Sequence, residues 1–337
     1  MQKRKGQIFE ALGNKRKIYG PGVAACAAWL LFCILTTRAF TAGAGTLDEA
    51  NQLLAEGRYD KAYNAYLVHS ESDPLAQFNL GLIELLGWGR TKNQKAACGW
   101  FEPAASAGVP MAQLYLGDCF RDGAHKPADF QRAKHWYLSA ADSGLGQAYC
   151  LLGKIYLDGS LVEKDAQQGI KYCDRAARRG SAESALYLAE RFEAGDEDVP
   201  RDLGRALSLY QTAATTNNAE AQYRLARFLY DQGADAEGQA AAIRYAEAAA
   251  ARGYRPAYLL CAQLYVAAPV DAESGLPTAE NLAKAYLWSQ ATLRDPVTAE
   301  AREAAQAILG RVRTVMPSEW ESSLNIEVDD HFARLAR

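Results

Sequence analysis

The clearest indication of the fold comes from residues 112–144, which have the sequence AQLYLGDCFRDGAHKPADFQRAKHWYLSAADSG. Ala112 and Leu116 are four residues apart, as are Trp136 and Ala140, so each pair lies on one face of a helix. Gly123 can adopt a positive φ and therefore end the first helix. The stretch predicts a helix of about twelve residues, a loop and a second helix.

The same pattern returns about every 36 residues. Its first small residue recurs at Ala76, Ala112, Ala148, Ser184, Ala221 and Ala257, in steps of 36, 36, 36, 37 and 36. In the second helix, an aromatic residue or leucine precedes two small residues by four positions, at Trp100, Trp136, Tyr172, Leu209 and Tyr245. One helical pair is too small to bury its apolar faces alone, so neighbouring pairs must stack. We predict an all-α fold, an α/α superhelical solenoid of about six to seven 36-residue helix–turn–helix repeats.

These residues resemble the Sel1-like repeat, a relative of the tetratricopeptide repeat. The resemblance extends from about residue 75 to 293, but the unit at 257–293 departs from the motif with Cys261 in place of leucine and two prolines in a widened loop. We predict a basic segment with a signal or anchor over 1–44, a tetratricopeptide-like capping hairpin over 45–74, the repeats over 75–297, and a capping helix and tail over 298–337. The tail from Pro317 is either a last capping helix or a docking peptide.

Charge is distributed unevenly along the chain. Residues 1–38 carry seven basic side chains and one acidic one, whereas residues 39–337 carry 30 basic and 39 acidic side chains. An acidic body without a basic, aromatic stripe repels phosphate backbones, so nucleic acid is not expected as a ligand.

The N-terminus has the order of an export signal. Six basic residues precede an uncharged run at 18–37, which approaches the roughly 20 residues that span a bilayer. Cleavage at Ala42-Gly43-Ala44 and retention as an inner-membrane anchor both fit this sequence. In either case the basic flank sends the body across the membrane, which means the periplasm in a bacterium.

Two cysteine pairs are placed symmetrically about predicted helix–helix turns. Cys98 and Cys119 flank one turn, Cys150 and Cys173 flank another, and Cys261 is left over. Antiparallel helices would bring each pair together as a disulfide in an oxidising compartment. The alternative is that they are small core residues, since equivalent positions are mostly apolar.

Two sets of helix residues are candidates for a partner-binding face on the concave side of the stack. The first set carries one charge per repeat, alternating in sign, and is either a groove floor or an exposed ladder between repeats. The second set varies in type at the second position of each first helix. The candidates are Asp118, Lys154, Glu190 and Arg227, and Gln77, Gln113, Tyr149, Gln222 and Tyr258.

No sequence pattern indicates catalysis, a cofactor or a metal. The four histidines are scattered, no Cys-x2-Cys pair occurs, and the glycines belong to repeat turns. The resemblance implies a non-enzymatic adaptor for other proteins in the bacterial envelope, in exopolysaccharide synthesis or export, in regulation of a membrane partner, or in host interaction. One alternative is the cysteine-rich branch of these repeats, linked to penicillin binding and weak β-lactam hydrolysis. Another is a lumenal eukaryotic adaptor.

Overall fold

A computed structural model describes residues 45–270 and 277–336, and these residues contain sixteen α-helices. The all-α prediction is confirmed. No helix in these two ranges has the length and apolarity needed to cross a membrane, and the predicted signal or anchor at 18–37 lies outside them. The helices are α1 Gly45–Ala55, α2 Tyr59–His69, α3 Pro74–Leu86, α4 Gln94–Ser106, α5 Pro110–Asp122, α6 Phe130–Asp142, α7 Gln147–Asp158, α8 Ala166–Arg178, α9 Ala182–Ala194, α10 Leu203–Ala214, α11 Ala219–Asp231, α12 Ala236–Ala250, α13 Pro256–Ala267, α14 Ala279–Arg294, α15 Ala299–Arg313 and α16 Trp320–Leu335.

The second helix of each repeat from α4 to α12 starts at an Asp or Asn cap. In α6, the Asp129 side chain accepts a hydrogen bond from the backbone N–H of Arg132, which satisfies a donor that the first helical turn leaves unpaired. The backbone N–H of Asp129 donates to the Phe120 carbonyl of α5 at 2.9 Å. The equivalent backbone bonds start from Asn93, Asp165 and Asp202. One residue therefore both begins the second helix and ties it to the first.

Asn217 ends α10 where four other repeats use glycine. It has φ +61°, the one positive value among the described residues other than glycine. Asparagine tolerates the left-handed region better than most residues, which is why the repeat turn survives this substitution.

The chain divides into two compact units, residues 1–143 and 144–337, a boundary inside the predicted repeat region. In the first unit, α1 and α2 form a hairpin whose core includes Ala50, Ala62 and Tyr66, and these pack with Leu80 and Ile83 of α3. The two repeats α3–α4 and α5–α6 complete the described part of this unit.

The second unit contains four further helical hairpins followed by α15 and α16. The irregular unit at 257–293 forms the hairpin α13–α14, with a single antiparallel bridge between Val270 and Pro277 across its wide loop. The tail forms helix α16, and its Leu324 and Val328 are buried in the same core as Trp288 of α14. The tail therefore contributes side chains to the core of the second unit.

Glycines set the distance between paired helices. A Cβ added to Gly117 of α5 would lie 2.7 Å from the Tyr137 ring of α6, so the ring occupies the space that a side chain would need. Gly153 of α7 faces backbone instead, because its added Cβ would lie 2.6 Å from the Gly169 carbonyl oxygen of α8. The close packing at these two glycines is therefore of two kinds.

His331 of α16 is buried in an aromatic cluster at the end of the second unit. Its Nε2 lies 3.3 Å from the Tyr258 hydroxyl, and its ring makes edge contacts with Trp288 and Phe332. Burial, and secondarily the positive charge of Arg334, lowers the pKa of His331. The neutral ring is the form that this packing favours.

Acidification is expected to weaken the packing of α16. The pKa of His331 is lower in the folded protein than in the unfolded chain, so as the pH falls the unfolded chain binds a proton at a higher pH than the folded protein does. The free energy of unfolding therefore falls as the pH drops below about 6.5. His331→Phe should flatten this dependence. Urea unfolding between neutral and mildly acidic pH measures it, with His135→Phe as an exposed-histidine control. An unchanged pH slope in His331→Phe would contradict the assignment.

Candidate functional site

Four of the five second-position candidates are in the core rather than on a surface. Gln113 and Gln222 are each 7% exposed, and Tyr149 and Tyr258 are each 1% exposed. The expectation that these residues line a binding face is wrong for these four, and Gln77 is half-buried.

Their burial follows from what the second position contacts. Gln77 Nε2 donates to the Ser70 carbonyl at 2.7 Å, and Gln113 Nε2 donates to the Ala105 carbonyl at 3.4 Å. Both acceptors lie at the C-terminal end of the preceding helix, where carbonyls lack partners within the helix. These glutamines therefore join consecutive repeats.

The charged candidates do not form a ladder with one another. In the first unit, Asp118 Oδ1 accepts a hydrogen bond from the Tyr137 hydroxyl at 2.7 Å and forms an ion pair with Arg121 at 2.7 Å. Burial raises the pKa of Asp118, while Arg121 and Tyr137 act in the opposite direction. Asp118 thus helps hold the hairpin α5–α6.

In the second unit, each charge contacts a residue of the next repeat, or of its own helix. Lys154 Nζ lies 4.5 Å from the centre of the Tyr187 ring, and Glu190 pairs with Arg224 at 3.3 Å. Arg227 pairs with Asp231, four residues along α11, at 2.6 Å. Stacked first helices are offset by about one turn, so the seventh position meets the fourth position of the following repeat rather than its seventh.

We call Lys154, Tyr187, Glu190, Arg224 and Arg227 the first-helix ribbon of the second unit. It presents mixed charge with an aromatic ring, and its ion pairs are solvent-exposed, with Glu190 and Arg224 side chains 46% and 43% exposed. Such pairs contribute roughly 0–1 kcal/mol each to stability, so they can exchange partners at little cost. The arrangement can recognise a polar protein surface.

The structure contains both disulfides anticipated from the sequence. Cys98–Cys119 joins α4 to α5 and so links consecutive repeats, whereas Cys150–Cys173 joins α7 to α8 within one repeat. Cys261 is a buried free thiol, and burial raises its pKa well above the usual value. No group of three or more potential metal ligands is found in the described residues.

One feature was not predicted from the sequence, namely two cations at the C-terminal end of α8 that stack against Tyr149. Arg175 Cζ lies 4.1 Å from the centre of that ring, and Arg179 Cζ lies 5.1 Å from it. The signal was available, because Lys171, Arg175 and Arg179 are spaced four residues apart.

The sequence model of the Sel1 repeat matches residues 74–109, 110–145, 146–181, 182–218 and 219–254, more than half of the chain. The chain belongs to the Sel1 repeat family. The match confirms the resemblance over five repeats and ends before the irregular hairpin α13–α14. Proteins of this family generally mediate protein–protein interaction and are typically non-enzymatic scaffolds. A comparison with curated proteins gave no match.

Solved Sel1 repeat structures resemble the fold. A Sel1 repeat protein from Oxalobacter formigenes is 25% identical with a TM-score of 0.52, over 77% of this chain and 99% of that one. A protective antigen of uropathogenic Escherichia coli strains, c5321, is 17% identical with a TM-score of 0.47, over 82% of this chain and 64% of that one. The chain thus covers less than two thirds of that antigen.

Proposed function

We propose that this protein is an exported adaptor of the bacterial cell envelope, which binds a protein partner through the first-helix ribbon of its second unit. The observation that carries the proposal is the presence of two disulfides in a protein-binding repeat. Disulfides persist in oxidising compartments such as the periplasm and are rare in the cytosol. The basic and apolar order of residues 1–37 supports the same route.

A partner that supports exopolysaccharide synthesis or export, or a membrane protein under regulation, fits this role. The ribbon carries charges of both signs, and complementary charges favour specificity and association rate more than affinity. The partner surface is therefore expected to be polar, with acidic groups facing the basic residues of the ribbon and basic groups facing its acidic residue.

The binding face is tested by exchanging one ion pair. Glu190→Arg with Arg224→Glu keeps the net charge and the pair itself but reverses what the ribbon presents to a partner. Crosslinking of the tagged full-length protein in cells is expected to yield one defined envelope partner from the wild type and to lose it in the exchanged variant.

Glu56→Arg with Arg58→Glu is the matched control. This pair is exposed and 3.2 Å apart, and it belongs to the first unit rather than to the ribbon. Retention of the partner in both variants would show that the ribbon is not the interface. If no partner is recovered while the purified protein hydrolyses a β-lactam, the adaptor role is overturned.

The compartment is tested separately by quenching cells with acid and labelling the denatured protein with a maleimide, because all four paired cysteines are buried in the folded chain. Cys98, Cys119, Cys150 and Cys173 are expected to resist labelling until a reductant is added. Labelling of these cysteines in untreated cells would place the body in a reducing compartment and contradict export.

A further inference from the structure

Helix α8 carries a local positive charge that contrasts with the rest of the body. Lys171, Arg175, Arg178 and Arg179 are all exposed, and they recur at a spacing that places them along one side of the helix. Asp174 is the one acidic residue among them, and it pairs with Arg178 at 2.7 Å. Residues 39–337, by contrast, have nine more acidic than basic side chains.

Two of these cations are seated on an aromatic column. The Tyr149 ring lies beneath both Arg175 and Arg179 and stacks on Tyr172 at 6.4 Å, and Tyr172 stacks on Tyr156 at 5.8 Å. Arg175 stacks on the Tyr149 ring, and a guanidinium that stacks through its flat face keeps the N–H groups of its edge for hydrogen bonds to a carboxylate. Tyr149, predicted as a surface contact, instead supports the cations from below.

The Cys150–Cys173 disulfide fixes this column. Its two cysteines directly follow Tyr149 and Tyr172 in the sequence, and their α-carbons are 4.0 Å apart. The rings that carry the cations are thus held on two helices joined by a covalent bond. Ordered side chains lose less conformational entropy on binding, so this surface is organised in advance.

We propose that this cationic surface, formed by Lys171, Arg175, Arg178 and Arg179 over Tyr149, docks a carboxylate-rich segment of a protein partner. The inference rests on the proposed adaptor function and names a second contact of that partner. Arginine edges match carboxylates by paired hydrogen bonds.

A membrane surface fits this helix less well than a protein does. Helices that lie on bilayers bury large apolar side chains below their cations. None of the exposed large apolar residues of the described chain lies on α8. Nucleic acid is disfavoured by the acidic charge of the body.

The probe is a fluorescein-labelled oligoglutamate peptide, with oligoglutamine of equal length as the neutral comparison. Fluorescence anisotropy with the purified full-length protein at low salt is expected to show binding of the acidic peptide alone. Lys171→Gln with Arg175→Gln should weaken that binding by about tenfold, because two charge-assisted contacts are lost. Arg175→Lys keeps the charge but not the flat stack, and should weaken it less.

Arg201→Gln with Arg205→Gln is the matched control. It removes the same charge and also a stacked guanidinium, since Arg205 Cζ lies 4.0 Å from the centre of the Phe192 ring. Binding unchanged in this control supports a defined site. An equal loss in the control, no binding at all, or binding to phosphatidylglycerol vesicles in place of the peptide would overturn the proposal.

The two proposals fail in different ways. If the partner crosslinked in cells is kept by the Lys171 and Arg175 variant, and the peptide binds no tighter than its neutral comparison, the α8 surface is excluded while the adaptor function stands. If peptide binding is specific but no partner is crosslinked in cells, the adaptor function fails while the acidic-segment site remains.

Discussion

Replacing Gly153 with alanine is expected to destabilise the second unit by about 2 kcal/mol, although alanine favours helices over glycine by roughly 0.5–1 kcal/mol. The added methyl group would lie 2.6 Å from the Gly169 carbonyl oxygen and 2.9 Å from Cys173 Sγ. Backbone on one side and a disulfide on the other cannot move away independently. Helices α7 and α8 must therefore separate, which opens the core between them.

Gly99→Ala is the control for helix propensity. Gly99 is also inside a helix, α4, but nothing lies within 4 Å of the place its methyl group would take. This substitution should stabilise the first unit by roughly 0.5–1 kcal/mol. Urea unfolding of both variants gives the comparison, and a Gly153→Ala protein as stable as the wild type would show that α7 and α8 are not in close contact.

The helices were predictable because the same helix-forming pattern occurs in several copies along the chain. A small residue four positions before a leucine and a glycine at the turn recur in most copies, so a departure at one position is corrected by the others. Asn217 shows the strength of this redundancy, since it occupies a glycine position with the expected positive φ.

The side-chain partners were not predictable in the same way. Sequence periodicity fixes which residues share a helix face but not the offset between two stacked helices. That offset pairs Glu190 with Arg224 instead of Arg227, and it places Gln113 under the end of the preceding helix. Variation at the second position also misled the prediction, because a buried position can vary when each residue type finds its own partner.

The cysteine pairs were predictable as neighbours because an antiparallel hairpin is symmetric about its turn. The sequence did not indicate that the Cys150–Cys173 pair replaces an aromatic contact of the preceding repeats. Cys173 occupies the place in its repeat that Phe101 and Tyr137 hold in the two preceding ones, against Gly81 and Gly117. The third repeat thus closes with a covalent bond where the two before it close with an aromatic ring.

Removing the Cys150–Cys173 disulfide is expected to cost about 3 kcal/mol, the value for a closed loop of this length. Cys150→Ala with Cys173→Ala removes it, and urea unfolding with and without a reductant measures the loss. The wild type should lose stability on reduction, whereas the double variant should lose only the part that Cys98–Cys119 contributes. Cys261→Ala, which leaves both disulfides in place, should keep the full response to the reductant.

An aromatic ring should not restore what the disulfide provides. Cys150→Leu with Cys173→Tyr copies Leu114 and Tyr137 of the preceding repeat, but in that repeat the ring itself holds α5 and α6 apart at Gly117. In the third repeat, the Gly153 and Gly169 backbones meet directly and leave no room for a ring. The copied pair should therefore be no more stable than the double alanine variant. Recovery of wild-type stability would contradict this expectation. It would mean that α7 and α8 can be spaced like α5 and α6, and that the disulfide is the cause of the close approach at Gly153.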